Sequence, residues 1–386
     1  MVAEWKQLEL KIKFLTPAFP GDAEQKVRWR TPPFKALLRQ WWRVAYAQKE
    51  GYDKVNVVQM REAEGKLFGN AWLEKQSGRD KEADFSKSLV RLRLSKWELG
   101  TRNWWPQIAP QEQIAHPELT RPPGGRISPY LYLGYGPLDD KQGLARSPAI
   151  APGDQATLAL ALPANEAELI EAAVGLMHLY GTVGGRSRNG WGSFVIEGPD
   201  QMPWGGLAQL PIRAWEDALA FDWPHVIGKD KHGPLIWQTG EYQDWRGAMR
   251  ALAIVRLGVR TQFVFSSAPP HQEPQQRHWL SYPITRHTCE PWGRQRRLPN
   301  SLRFKVRPAA DAGRFVGVIY HMPCLPPPDF GPQKAAIVRT WEAVHRLLDE
   351  MSDEPSPRTY KSIGHSLRRQ QLKPWLDQVH LKRIAR

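Results

Sequence analysis

A strict two-residue alternation, Leu8-Glu9-Leu10-Lys11-Ile12-Lys13-Phe14, opens a series of periodicities that leaves few architectures available. Apolar residues at every second position put all of that run's apolar side chains on one face, so it predicts a half-buried strand. A turn bearing proline and glycine follows at 16–21, and Thr31-Pro32-Pro33 then opens a segment running to about residue 48. Thr31 suits a cap and proline suits a first helical turn. Phe34, Leu37, Leu38, Trp41 and Ala45 fall on one face at helical spacing. A short second helix is predicted over 60–68, and strands over 88–97 and 155–162, the former with Leu89, Arg91, Arg93 and Ser95 on alternate positions. Residues 165–180 predict a helix capped by Asn165, with Gly181 just past its end where a left-handed cap is expected. A strand at 194–196 closes the half. The order strand, helix, strand, strand, helix, strand is that of the ferredoxin-like layout with a four-stranded antiparallel sheet.

The second half repeats this order without visible sequence similarity. A strand at 223–227 or 235–238 precedes a helix at 244–256, with Trp245, Ala248, Leu252 and Val255 on one face. Alternating strands follow at 301–307 and 315–322, then an amphipathic helix at 333–351 carrying Ile337, Trp341, Val344 and Leu348. The predicted class is α+β: tandem ferredoxin-like (RRM-like) modules with antiparallel sheets and long inserted loops, one over 1–200 and one over 201–386. The stretch 100–153, rich in Pro, Gly and Trp, is irregular. The loop 266–299 is too long for a simple connection and is expected to be functional or ordered by a partner. The tail after Ser352 is basic and is expected to form a last helix or to pack on a neighbour.

Composition narrows the function. The 386 residues include 18 Trp, 10 Tyr and 12 Phe with mixed charge, which excludes a disordered class. The longest apolar stretch, 156–164, falls far short of the roughly 18 residues of a membrane span. The first residues alternate charge and apolarity, so no signal peptide is expected. Two cysteines cannot frame a protein of this size with disulfides, and a reduced cytoplasmic location is the simplest reading. With 54 Lys+Arg against 39 Asp+Glu, the net charge of +15 favours a polyanionic partner, nucleic acid first.

The most specific segment is Val183-Gly184-Gly185-Arg186-Ser187-Arg188-Asn189-Gly190-Trp191-Gly192-Ser193-Phe194. Glycines admit positive φ and close backbone approach, and successive N–H groups in such a loop can form an anion-binding concavity. Arg186 and Arg188 add guanidinium forks and Trp191 a stacking face. The loop lacks the Gly-Lys-Ser/Thr of a Walker motif and does not lie between a strand and a following helix. A second signal is the helix at 34–48, where Lys35, Arg39 and Arg43 share a face beside Trp42 and Tyr46, a pattern suited to single-stranded nucleic acid. Further basic clusters lie at 121–126 and at Arg294-Gln295-Arg296-Arg297, and Trp104, Trp105 and Trp292 are candidate stacking residues. The eleven histidines form no recognised catalytic signature; His178 is the one placed to serve a glycine-loop ribonuclease. His287, Cys289, His321 and Cys324 have the right donor types for tetrahedral zinc, against the reading that they co-occur by chance, and no cofactor is expected.

The run from Thr31 to Arg43 resembles the N-terminal signature of CRISPR-associated RAMP proteins, with a proline-containing entry and a Trp-Trp-Arg end. Gly65-Lys66-Leu67-Phe68-Gly69 is similar to the element that follows it there, and Gly184 to Phe194 looks like the glycine-rich RAMP loop. Tyr282-Pro283-Ile284-Thr285, Trp292-Gly293 and residues 298–307 resemble the subfamily that supplies the first RAMP subunit of type III-B (Cmr) effector complexes. The resemblance implies two ferredoxin-like modules in a cytoplasmic ribonucleoprotein. It implies guide RNA (crRNA), target RNA and other RAMP subunits as partners, with this chain near the guide 3′ end helping to capture target. It implies a subunit that does not cut RNA. It carries over Lys35, Arg39, Trp42 and Arg43 and the loop residues Gly184, Gly185, Arg186, Ser187, Arg188, Asn189 and Trp191 as expected RNA contacts; the basic run Arg294, Arg296 and Arg297 is expected, from its charge alone, to line the same groove or to meet an acidic protein neighbour. The alternative is a stand-alone RAMP endoribonuclease that processes guide RNA, which needs a base and an acid beside the cations.

Overall fold

The computed structural model describes residues 4–72, 84–102, 112–119, 125–139, 143–145, 148–197, 210–352, 358–364 and 366–384. It divides into two compact units. The first holds the described residues of 1–103, 146–185 and 192–211, and the second those of 104–145, 186–191 and 212–386.

In the first unit the alternating run is strand β1 (Trp5–Phe14), whose Leu10, Ile12 and Phe14 are buried while Glu9 and Lys11 are exposed. Helix α1 (Thr31–Lys49) starts at Thr31 itself, with Pro32 and Pro33 in its first turn; Thr31 is therefore inside the helix and not its cap. Helix α2 (Val57–Phe68) begins three residues earlier than the apolar spacing suggests. The Asn56 side chain accepts from Val58 N and Gln59 N at 3.0 and 3.1 Å and fixes that start. Strands β2 (Arg91–Leu94) and β3 (Gln155–Pro163), helix α3 (Ala167–Tyr180) and strand β4 (Phe194–Glu197) complete the unit. The sheet order is β4-β1-β3-β2, antiparallel throughout, which is the ferredoxin-like topology the sequence predicts. Phe14, Trp29, Phe34 and Phe194 tie β1, α1 and β4 together, with ring centroids 5.0–6.4 Å apart. Gly181 is not a left-handed cap, since its φ is −73°. A Cβ there would meet Met177 O at 2.4 Å, so glycine is needed for close approach.

In the second unit, of the two candidate first strands, the one over 235–238 forms, as β5 (Ile236–Thr239). Asp244 Oδ1 accepts from Gly247 N at 3.0 Å and caps helix α4 (Trp245–Thr261). A short helix α5 (Gln276–Leu280), strands β6 (Leu302–Pro308) and β7 (Phe315–His321), helices α6 (Lys334–Glu350) and α7 (Ser366–Leu376), and strand β8 (Leu381–Arg383) follow. The sheet order β6-β7-β5-β8 repeats the first topology, again antiparallel. The basic tail thus supplies the fourth strand as well as a helix. Residues 227–230 instead join a small sheet, pairing in parallel with 212–214. The loop 266–299, expected to be functional or partner-ordered, packs around its own aromatics: Trp279, Tyr282 and Trp292 are buried with centroids 5.0–5.2 Å apart.

Candidate nucleic-acid interface

The stems of the glycine-rich loop, residues 184–185 and 192–193, lie in the first unit, and the backbone of residues 17–20 runs against them. Gly184 has φ +98°, and a Cβ on it would stand 2.7 Å from Phe19 C. Gly192 has φ +65°, and its Cβ would stand 1.9 Å from Val183 O. Four of its N–H groups are used within the protein. Gly185 N donates to Phe19 O at 3.0 Å, Gly192 N to Pro17 O at 2.9 Å, Asn189 N to Arg186 O at 2.9 Å and Gly190 N to Ser187 O at 3.1 Å. The glycines at 184 and 192 thus serve close backbone packing.

The tip of the loop, residues 186–191, belongs to the second unit. Phe304 N donates to Arg188 O at 3.0 Å, which ties the tip to β6. Asn189 is buried: its Nδ2 donates to Leu133 O at 2.7 Å, and its Oδ1 accepts from Arg256 Nη1. Trp191 is wholly buried, edge-on to Trp245 at 6.1 Å. Both are corrections to the expected RNA contacts. An amide clamped between two elements and a ring inside the core present nothing to a base or phosphate.

Arg186 and Arg188 remain exposed, and Ser187 between them is half-buried. Arg186 adopts φ +57°, and its Nε donates to Tyr135 O at 2.6 Å. Burial, then the neighbouring Arg260, lowers its pKa. Arg256 on α4 is pulled down to about 10 by burial, with Arg260 and Arg186 adding repulsion. Arg188 is likewise pulled down to about 10, by burial and then by Arg303 on β6. The tip thus gathers two guanidinium groups, Arg186 with Arg256 and Arg260, and Arg188 with Arg303. Among the described residues no carboxylate lies within ion-pair distance of these five. Uncompensated guanidiniums held this close raise the local potential and favour an anion.

The stripe on α1 is different. Glu64 of α2, with a side chain only 6% exposed, takes Arg39 Nε at 2.8 Å and Arg43 through Nε and Nη2 at 2.8 and 2.7 Å. Two of its three charges are thus tied to one carboxylate. Lys35 is half-buried, its pKa lowered by burial and then by Arg39. Trp42 is 1% exposed and packs edge-on against Phe68 at 5.9 Å, so the expected stacking residue of this stripe is core.

In the basic run of the 266–299 loop, Arg296 donates to Asp329 O and lies over the Phe330 ring, and Arg297 Nη1 donates to the carbonyls of residues 294, 295 and 296 at 2.8–3.0 Å. Those two side chains shape the loop, leaving Arg294 exposed. Trp292 is also core, its Nε1 donating to Phe330 O at 3.0 Å. Residues 103–111 and 121–124, which include Trp104, Trp105 and most of the other basic cluster, lie outside the described residues. The four zinc candidates separate. His287 stacks on Phe265 and its Nδ1 meets His271 Nε2 at 3.0 Å, whereas His321 pairs with His345 at 2.9 Å. Among the described residues no three metal-ligating side chains come together. Burial also pushes both thiols up, Cys324 to about 11. His178 accepts from Ile196 N at 3.1 Å through Nδ1, which holds it against β4.

Comparison with known proteins adds one decisive match: residues 11–195 fit the model of the RAMP superfamily. The chain carries a RAMP-superfamily domain. The matched segment takes in the last four residues of β1, all of α1 to α3, the whole glycine-rich loop and the start of β4, and so spans parts of all four strands of the first ferredoxin-like sheet. No curated protein matches the chain. Among solved structures, apo Cmr1 from Pyrococcus furiosus is similar at 14% identity and a TM-score of 0.39, over 82% of this chain and 87% of that one. Beyond the RAMP domain, Arg256, Arg260 and Arg303 are the site residues that sequence reasoning missed. Their signal was present: Arg256 and Arg260 stand four apart on a helix, and Arg303 begins the alternation Arg303, Lys305, Arg307. No helix among the described residues is long and apolar enough to cross a membrane.

Proposed function

We propose that this protein is a non-catalytic RNA-binding and assembly subunit of a type III-B CRISPR effector, acting in the cytoplasm beside other RAMP subunits near the guide-RNA 3′ end and helping to capture target RNA. The observation that carries the RNA-binding part is the two clusters of arginines at the loop tip, Arg186 with Arg256 and Arg260, and Arg188 with Arg303, with no carboxylate among the described residues to neutralise them. A polyphosphate strand is the partner that such unpaired charge and a net charge of +15 suit. The RAMP family match supports a CRISPR role, and the blocks at 282–285, 292–293 and 298–307 support the type III-B assignment. Exposed Arg186, Arg188 and Arg294, half-buried Ser187 and Lys35, and the partly neutralised Arg39 and Arg43 are the proposed contacts; the backbone at Gly184 and Gly185 shapes the loop.

The test incubates purified full-length protein with end-labelled repeat-containing RNA and with target RNA, over a salt series, with and without chelator. Binding is read on native gels and cleavage on denaturing gels. Salt-sensitive binding without cleavage is expected. Specific, chelator-resistant cleavage would overturn the non-catalytic reading in favour of the guide-processing endoribonuclease.

A further inference from the structure

Beside the loop tip, within the second unit, a cavity of about 110 Å³ is lined by Arg188, Arg303, Trp279, Trp341, Pro326 and Asp222, among others. Its lining combines aromatic and aliphatic side chains with two guanidiniums. Arg303 is 6% exposed, and its Nε has no hydrogen-bond partner among the described residues. Trp279 is 3% exposed, and its Nε1 is likewise unpartnered among the described residues. Two buried donors without acceptors among the residues lining one cavity call for an explanation, because leaving a buried donor unmet forfeits its bond to water. Arg188 and Arg303 also repel one another, and Asp222, which lines the same cavity, forms an ion pair with neither. Trp341 is held rigid, stacked on His321 at 4.1 Å, and so offers a preformed wall.

These features call for a ligand with an apolar planar body, hydrogen-bond acceptors and a negative charge. We propose that this cavity accepts a single nucleotide of bound single-stranded RNA, its base against the Trp279–Trp341 wall and its phosphate on Arg188 and Arg303. Planar bases gain by packing on aromatic walls, and guanidinium forks match phosphate oxygens. The unmet donors of Trp279 and Arg303 gain the acceptors they lack. The inference rests on the RNA-binding reading above and refines it to one pocket.

The experiment uses full-length protein and RNA oligonucleotides carrying 4-thiouridine, irradiated in the complex, with crosslinked peptides mapped by mass spectrometry. Crosslinks are expected on peptides spanning 298–303 and 324–327. Arg188→Gln, a change at an exposed loop residue, is expected to lower their yield roughly tenfold or more, the worth of a charged hydrogen bond. Arg186→Gln, which removes equal charge from the same loop outside the cavity, is expected to weaken overall binding but leave the crosslinked peptides the same. Wild-type protein that binds RNA yet crosslinks only elsewhere overturns the pocket while leaving the RNA-binding reading standing. So does an Arg188→Gln yield within about twofold of wild type. Failure of the wild type to bind RNA at all overturns both.

Discussion

Replacing Gly192 by Ala tests whether the glycine-rich loop is built for packing. The residue sits at φ +65°, where an L-residue costs about 1–2 kcal/mol. The added Cβ would stand 1.9 Å from Val183 O, and reaching the 3.4 Å of ordinary contact requires a retreat of about 1.5 Å. The atom in the way is backbone, so no side-chain rotation relieves it. That retreat breaks the bond from Val183 N to Gly192 O (3.0 Å) and strains the one from Gly192 N to Pro17 O (2.9 Å), each worth about 1 kcal/mol. The expected loss is therefore about 3–4 kcal/mol, a large share of the roughly 5–15 kcal/mol that holds a typical protein folded. Gly190→Ala is the contrast. Its φ is +91°, but the nearest atom is the flexible Met249 Sδ at 2.9 Å, so about 1–2 kcal/mol is expected. Urea unfolding followed by circular dichroism measures both. A Gly192→Ala protein within about 1 kcal/mol of wild type, or one no worse than Gly190→Ala, would refute the packing account.

Glu64→Gln removes the charge that holds Arg39 and Arg43. Because those arginine side chains are 38% and 39% exposed, a loss of only about 2 kcal/mol in urea unfolding is expected, and one below about 0.5 kcal/mol would show the cluster to be incidental. Burial lowers the pKa of His116 and His278 to about 4 and that of His345 to about 3. As pH falls below the usual 6.5, the unfolded chain takes up protons that the folded chain refuses, so stability should decline from pH 6.5 towards 4. A thermal midpoint level across that window would contradict it. Glu118 works in a lower window. Burial raises its pKa, but Arg277 and Arg368 outweigh that and bring it to about 2, so its contribution is full above the ordinary 4.5 and lost towards pH 2. Glu118→Gln should flatten the acid limb of the stability curve there. Arg186→Gln combined with Arg188→Gln should weaken RNA binding and reduce its salt slope by up to about 2, and affinity unchanged at two salt concentrations would remove the loop from the interface.

The sequence by itself determined the path of the chain. Period-two runs at 8–14, 155–162, 301–307 and 315–322, and period-3.6 faces on the helices, depend only on which neighbours share a side, so they survive any packing. The net charge, the glycine loop and the RAMP-like blocks were equally local. Short segments carry too little pattern to read: β8 has only three residues, and its role as fourth strand is fixed by pairing with β5. Function-bearing side chains were the least legible, because a residue's type does not say which way it faces. Trp42, Trp191 and Trp292 read as stacking surfaces, yet the core claims all three, since burying a large ring removes more apolar area from water than exposing it to a ligand would. Arg39 and Arg43 read as free charge, yet Glu64, 21 or more residues away in sequence, neutralises much of it. In the other direction, Arg188 and Arg303 lie 115 positions apart (303 less 188) and meet only because the loop tip pairs with β6 at Phe304. Local periodicity chose the elements. Long-range packing, which alone sets burial and pairs distant charges, chose which cations stay available to a ligand.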